Sequence, residues 1–131
     1  MGIDTRRYTF VAVIERQFAE RFAHEWINAW NSHDLDRILA HYSDDFEFCS
    51  PRIVELMSEP SGTLTGKHAI RPYWAKALSQ VPELRFELHT VLCGINSVVL
   101  YYKNSRGRMA AERFEFNEDG LVGKSAAHYD G

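Results

Sequence analysis

Hydrophobic spacing along this chain is mainly helical before Pro82 and keeps a period of two after it, and that order predicts an α+β fold. Three observations carry the prediction. Phe18, Phe22, Trp26 and Trp30 recur every four residues, with Ala19, Ala23 and Ile27 beside them and charged residues elsewhere. Strand-like alternation runs from Leu84 to Tyr129. Turn residues at Gly94-Ile95-Asn96, Asn104 to Gly107 and Asn117 to Gly120 divide that stretch into an antiparallel meander.

Taken in order, the four-residue stripe predicts a long amphipathic helix from Ile14 to Trp30. Asn31-Ser32-His33 ends it. Asp34 is a suitable N-cap for a short second helix carrying Leu35, Ile38, Leu39 and Tyr42. Asp45 to Ser50 alternates as a strand with Phe46, Phe48 and Ser50 on one face, and Pro51 is read as its end. Residues 51 to 66 hold Pro51, Pro60, Gly62 and Gly66 around an apolar island of Ile53, Val54, Leu56 and Met57, which predicts a long loop acting as a mobile lid. A third helix spans His68 to Gln80, its stripe being Ile70, Tyr73, Trp74, Ala77 and Leu78.

In the meander, Ser97 to Lys103 is apolar on both faces, so one face fills the interior and the other is expected to meet a second copy in a homodimer. Met109 to Asn117 places Glu112 on the same side as Phe114 and Phe116, opposite Arg113 and Glu115. Leu121 to Tyr129 is the last strand. No repeat or linker interrupts the 131 residues, which are read as one domain, 1–131.

Composition narrows the function. A net charge of −3 with interspersed signs leaves no basic stripe for a phosphate backbone, so nucleic acid is not an expected partner. The apolar run Phe10 to Ile14 is too short for a signal core or a membrane span, and Met1-Gly2 lacks the Ser or Thr of a myristoylation start because Arg6 stands there; a cytoplasmic protein is expected. Cys49 and Cys93 have no neighbouring cysteine and are read as buried small hydrophobes. His24-Glu25 opens like a zinc motif, but Asn28 stands where the second histidine belongs; no metal site is expected. Gly62 to His68 is one residue short of a phosphate loop and lacks its Ser or Thr, so no nucleotide cofactor is expected either.

Trp30-Asn31-Ser32-His33-Asp34 ahead of a short helix, Tyr42-Ser43-Asp44-Asp45-Phe46 leading into a strand, Gly66 followed by Ile70 and Tyr73-Trp74, and the hairpin at Asp119-Gly120 together resemble the SnoaL-like branch of the nuclear-transport-factor-2-like superfamily. The resemblance implies three helices packed into a strongly curved, mainly antiparallel sheet that forms a cone, often paired back to back through the outer sheet face. It implies a pocket for a small organic molecule, and the superfamily includes cyclases, ketosteroid isomerase, dehydratases and non-catalytic modules. Against the ketosteroid isomerase pattern, Ser50 stands where that enzyme has its base and Trp26 where it has its oxyanion-binding tyrosine. Glu112 matches the third position.

The candidate catalytic residues are therefore Glu112, whose inward carboxyl is expected to be desolvated and raised in pKa, and His128, expected at the pocket mouth beside Asp130. A salt bridge from Glu112 to Arg52 or another rim cation is the structural alternative. Ser125 is not taken as a nucleophile, because strand parity sends it and His128 to opposite faces. Trp26, Trp30, Tyr42, Phe46, Phe48, Trp74, Phe86 and Phe114, with Ser50 and Arg52 as polar members, are expected to line a pocket for a largely apolar, ring-containing small-molecule ligand. The function expected is binding of such a metabolite, with isomerase, cyclase or lyase-type proton transfer; the alternative is a non-catalytic ligand-binding or dimerisation module.

Overall fold

The structure, a computed structural model, describes residues 14–131. The Met1-Gly2 start, Arg6 and all of the early apolar run except Ile14 lie outside the described residues. Helix α1, Arg16–Ser32, buries the stripe read from the sequence, with Phe22, Ala23, Trp26, Ile27 and Trp30 turned inward. His33 ends it in a left-handed conformation, φ 61°, with its N–H donating to the Trp30 carbonyl at 3.0 Å. Asp34 caps α2, Leu35–Leu39, by accepting the Arg37 N–H at 3.2 Å. The helical hairpin thus forms as its caps specify.

Strand β1, Tyr42–Cys49, begins three residues earlier than expected and buries Tyr42, Phe46 and Phe48. The segment from 51 to 66 is not the long loop anticipated. It folds into helix α3, Pro51–Met57, and strand β2, Thr63–Thr65, which pairs antiparallel with β1. The Ser50 hydroxyl accepts the Arg52 N–H at 3.2 Å while Pro51 occupies the first helical position, where its missing N–H costs nothing. The apolar island is α3's inner face: Ile53 is 0% exposed and Leu56 and Met57 pack against the core, leaving Val54 outside. Gly62, φ 65°, brings the chain back so closely that an added Cβ would sit 3.3 Å from the Ser50 carbonyl. The expected lid is a packed element.

Helix α4, Lys67–Gln80, precedes strands β3, Glu87–Cys93, β4, Ser97–Lys103, β5, Met109–Phe116, and β6, Val122–Tyr129. Leu84 to Phe86, expected to begin β3, instead leads into it, and Asn31 pins this approach by donating to the Phe86 carbonyl at 3.0 Å and accepting its N–H at 2.6 Å. The sheet order is β2-β1-β6-β5-β4-β3, with β1 and β6 parallel and the other neighbours antiparallel. In β4 the inner face carries Val98, Leu100 and Tyr102, and Tyr101 points out. Cys93 is exposed rather than buried, and Cys49 is half-buried with its sulfur 3.2 Å from the Thr63 hydroxyl. Among the described residues no helix is long and apolar enough to cross a membrane.

Because Ile53 is fully enclosed, Ile53→Ala should lower unfolding free energy by about 2–4 kcal/mol. Urea denaturation followed by tryptophan fluorescence measures this; a lid residue would show almost no change.

Candidate functional site

The site begins with strand register. Glu112 lies opposite Leu100 on β4 and Ala127 on β6, so its side chain projects into the inner face between two strands. There it is 4% exposed. The Tyr102 hydroxyl donates to Oε1 at 3.0 Å and the Ser125 hydroxyl to Oε2 at 3.4 Å. Burial pushes the carboxyl up to about 7, and these two hydrogen bonds, which favour the charged form, only partly oppose the shift. The expected desolvated carboxyl is thus present. Its expected alternative, an ion pair with Arg52, is not: that guanidinium lies over the Tyr129 ring, 4.4 Å from its centroid.

Tyr102 links Glu112 to a pocket of about 380 Å³ whose wall includes Tyr73, Tyr102, Tyr129, Phe86, Leu84 and Leu56. Arg52 and Arg106 belong to the same wall, as do Asn104 and Ser105 of the β4–β5 turn. Burial, followed by the charge of Glu112, raises the Tyr102 phenol well above its ordinary range. The Tyr129 phenol is raised by the same two causes, opposed by Ser50 and Arg52, and that of Tyr73 is raised chiefly by burial. None of these phenols loses its proton near neutrality. Tyr102 can nevertheless pass one on, accepting from a ligand hydroxyl while donating to Glu112.

The remaining sequence candidates fall into three groups. Phe86 and Arg52 lie on the pocket wall. Trp26, Trp30, Tyr42, Phe46, Phe48, Trp74 and Phe114 do not; they form a packed aromatic core beside it. Trp26 has Phe86, Tyr102 and Phe114 at centroid distances of 5.7, 5.3 and 5.2 Å, and Trp74 meets Trp30, Tyr42, Phe46 and Phe48 within 5.1–5.7 Å. Rings this close fill the interior with one another and leave no wall for a ligand. The Trp26 indole spends its N–H on the Tyr42 hydroxyl at 2.9 Å, and Ser50 serves as the α3 cap while facing the phenols of Tyr73 and Tyr129. His128 is corrected outright. Parity turns it to the exposed outer face, with Nδ1 3.3 Å from the Ala111 carbonyl, away from Glu112 and the pocket.

Tyr73, Tyr102 and Tyr129 are the residues that sequence reasoning missed. Each sat in a recognised stripe or strand, and what distinguishes them is that their elements end around one opening, which no local pattern encodes.

Comparison with known proteins agrees with this architecture. The family model for the SnoaL-like domain matches residues 23–123, and the chain belongs to that family. A SnoaL-like protein of unknown function from Burkholderia thailandensis E264 is 49% identical, with 90% of this chain and 98% of that chain covered and a TM-score of 0.88. A protein of unknown function with a cystatin-like fold from Methylobium petroleophilum PM1 is 15% identical, covering 91% of this chain and 80% of that one, TM-score 0.71. TerC, co-crystallized with polyporic acid, is 16% identical, covering 86% and 92%, TM-score 0.70. No curated protein matches the chain.

The raised Glu112 carboxyl makes stability depend on pH. A carboxyl whose folded pKa lies above its unfolded one favours folding while protonated, so its contribution is complete below about pH 4.5 and is lost as pH rises through about 7. Glu112→Gln should therefore gain stability relative to the wild type by roughly 2–3 kcal/mol between about pH 5 and pH 8. His41, lowered chiefly by burial, tilts both curves the opposite way and cancels in the difference. Thermal melts across this range check it; a constant difference would mean that Glu112 titrates normally.

Proposed function

We propose that this chain binds a small, largely apolar ring-containing metabolite in the pocket bounded by α3, α4 and the β4–β5 turn, and that Glu112 exchanges a proton with it through Tyr102. The observation that carries this reading is the short link from the pocket wall to a carboxyl held near neutrality, Tyr102 Oη to Glu112 Oε1 at 3.0 Å. A group that titrates near the working pH can both take and return a proton, which isomerase, cyclase and lyase chemistry of enolisable or phenolic rings requires. When Glu112 is ionised, a ligand hydroxyl donates to Tyr102, which donates to the carboxylate. When it is neutral, the same chain can run outward. The reading needs no metal or nucleotide, and a cytoplasmic location is proposed with it.

A second reading is a non-catalytic binding module. One observation favours it: the Glu112 carboxyl reaches the pocket only behind Tyr102 and is not on the wall itself.

Binding of 2-naphthol, followed by its fluorescence, separates the two. With proton exchange through Tyr102, affinity should rise about tenfold from about pH 6 to pH 8 as the hydrogen-bond chain gains a charged acceptor. Glu112→Gln and Tyr102→Phe should abolish that rise. Affinity equal at both values in the wild type supports the binding module, and no binding at all removes the pocket reading.

The proposal includes a homodimer through the outer sheet face. Leu92, 53% exposed, and Tyr101, 37% exposed, lie on this face with Val99, Ala111 and Ala126 around the Arg113–Glu115 ion pair, a mixed surface whose apolar part a second sheet would cover. Light scattering at micromolar concentration should give the mass of two chains, and Tyr101→Asp should give that of one; a monomeric wild type rejects the pairing.

A further inference from the structure

The charge on the pocket wall is unlike that of the chain around it. The whole sequence carries −3, yet the wall presents two guanidinium groups, Arg52 and Arg106, against one carboxylate, Glu55. No ion pair among the described residues engages either arginine. Other basic side chains close to acids do pair, as Arg37 does with Glu25 at 2.8 Å and Arg71 with Asp36 at 2.6 Å.

Arg52 is positioned through its side chain and Arg106 through the backbone of its turn. Arg52 is stacked over the Tyr129 ring, 4.4 Å from its centroid, which places the guanidinium at the pocket wall. Arg106 lies in the β4–β5 turn, where Asn104 Oδ1 accepts the N–H groups of Arg106 and Arg108 at 3.0 and 3.1 Å. The same wall is apolar at Leu84, Phe86 and Leu56. An apolar slot with a doubly cationic rim fits a ligand that is hydrophobic at one end and anionic at the other.

Resting on the pocket reading above, we propose that the ligand is an aromatic or alicyclic carboxylate, its ring against Phe86 and Leu84 and its carboxylate held between Arg52 and Arg106. Guanidinium groups recognise a planar carboxylate through paired N–H donors, and two of them select it over an uncharged isostere of the same shape. Glu55 on the same wall repels a ligand bearing a second negative charge at that side, so a monoanion is favoured over a dianion.

Calorimetric titration with 2-naphthoate and with 2-naphthamide, at low salt and about pH 6, where the acid is ionised and the amide is not, tests this. The acid should bind about tenfold or more tightly than the amide, and the preference should shrink as salt is added. Arg106→Gln, an exposed turn substitution that leaves the core untouched, should remove most of the preference by lowering acid affinity much more than amide affinity. Arg52→Gln should do likewise, and Arg52→Lys should retain part of it. Equal binding of acid and amide to the wild type, or a preference that survives both glutamine variants, overturns the carboxylate assignment and leaves the pocket standing. Binding of neither compound overturns the pocket reading and this assignment with it.

Discussion

The structure depends on keeping one carboxyl away from water. Burying Glu112 in its charged form would cost several kcal/mol without partners, and the fold meets this by raising the carboxyl to about 7 and giving each oxygen a hydroxyl donor. Those neighbours come from different strands, Tyr102 on β4 and Ser125 on β6, and the register that sets Glu112 between Leu100 and Ala127 makes both hydroxyls reach it. A slip of one residue in either pairing would turn the carboxyl or its donors to the outer face. Strand register, acid strength and access to the pocket are therefore one constraint.

The aromatic core holds that register in place. Trp26 and Trp74 each meet several rings, Trp26 stacked on Phe86 and most other pairs edge to face, and they tie α1 and α4 to the inner face of the sheet. Trp30 contributes in the same way although its indole N–H is buried with no hydrogen-bond partner among the described residues, a cost of about 1–3 kcal/mol that the surrounding ring contacts offset. Packing of this kind is stiff. The open volume is accordingly displaced to where α3, α4 and the β4–β5 turn meet, and polar side chains collect there.

Much of this was legible in the residues because the relevant signals are periodic. The four-residue stripe of α1, the Asp34 cap and the parity that sends Glu112, Phe114 and Phe116 inward are local properties, and each holds in the structure. The segment after Ser50 departs from expectation for a definable reason: Pro51 reads as a strand terminator, whereas a serine cap followed by proline at the first helical position is equally a helix start. The pocket wall was not legible. Tyr73, Tyr102 and Tyr129 lie far apart in sequence and share an opening only after the sheet has curled, while the aromatic residues that looked suited to a ligand satisfy one another. For His128, one further position along an alternating strand was enough to put it on the wrong side.

The parallel pairing of β1 with β6 joins residues 42–49 to residues 122–129, so the sheet's middle is closed by segments from opposite ends of the described chain. On a ribosome, β1 and β2 emerge early and must wait for β6 before their inner edge is covered, whereas β3, β4 and β5 can pair with sequence neighbours as they appear. During that interval a strand bearing Tyr42, Phe46 and Phe48, paired with β2 on one edge only, is open on the other to a chaperone or to another nascent copy. Synthesis speed between β2 and β6 thus becomes a variable in the yield of folded protein, one that acts before any ligand or pH effect can operate.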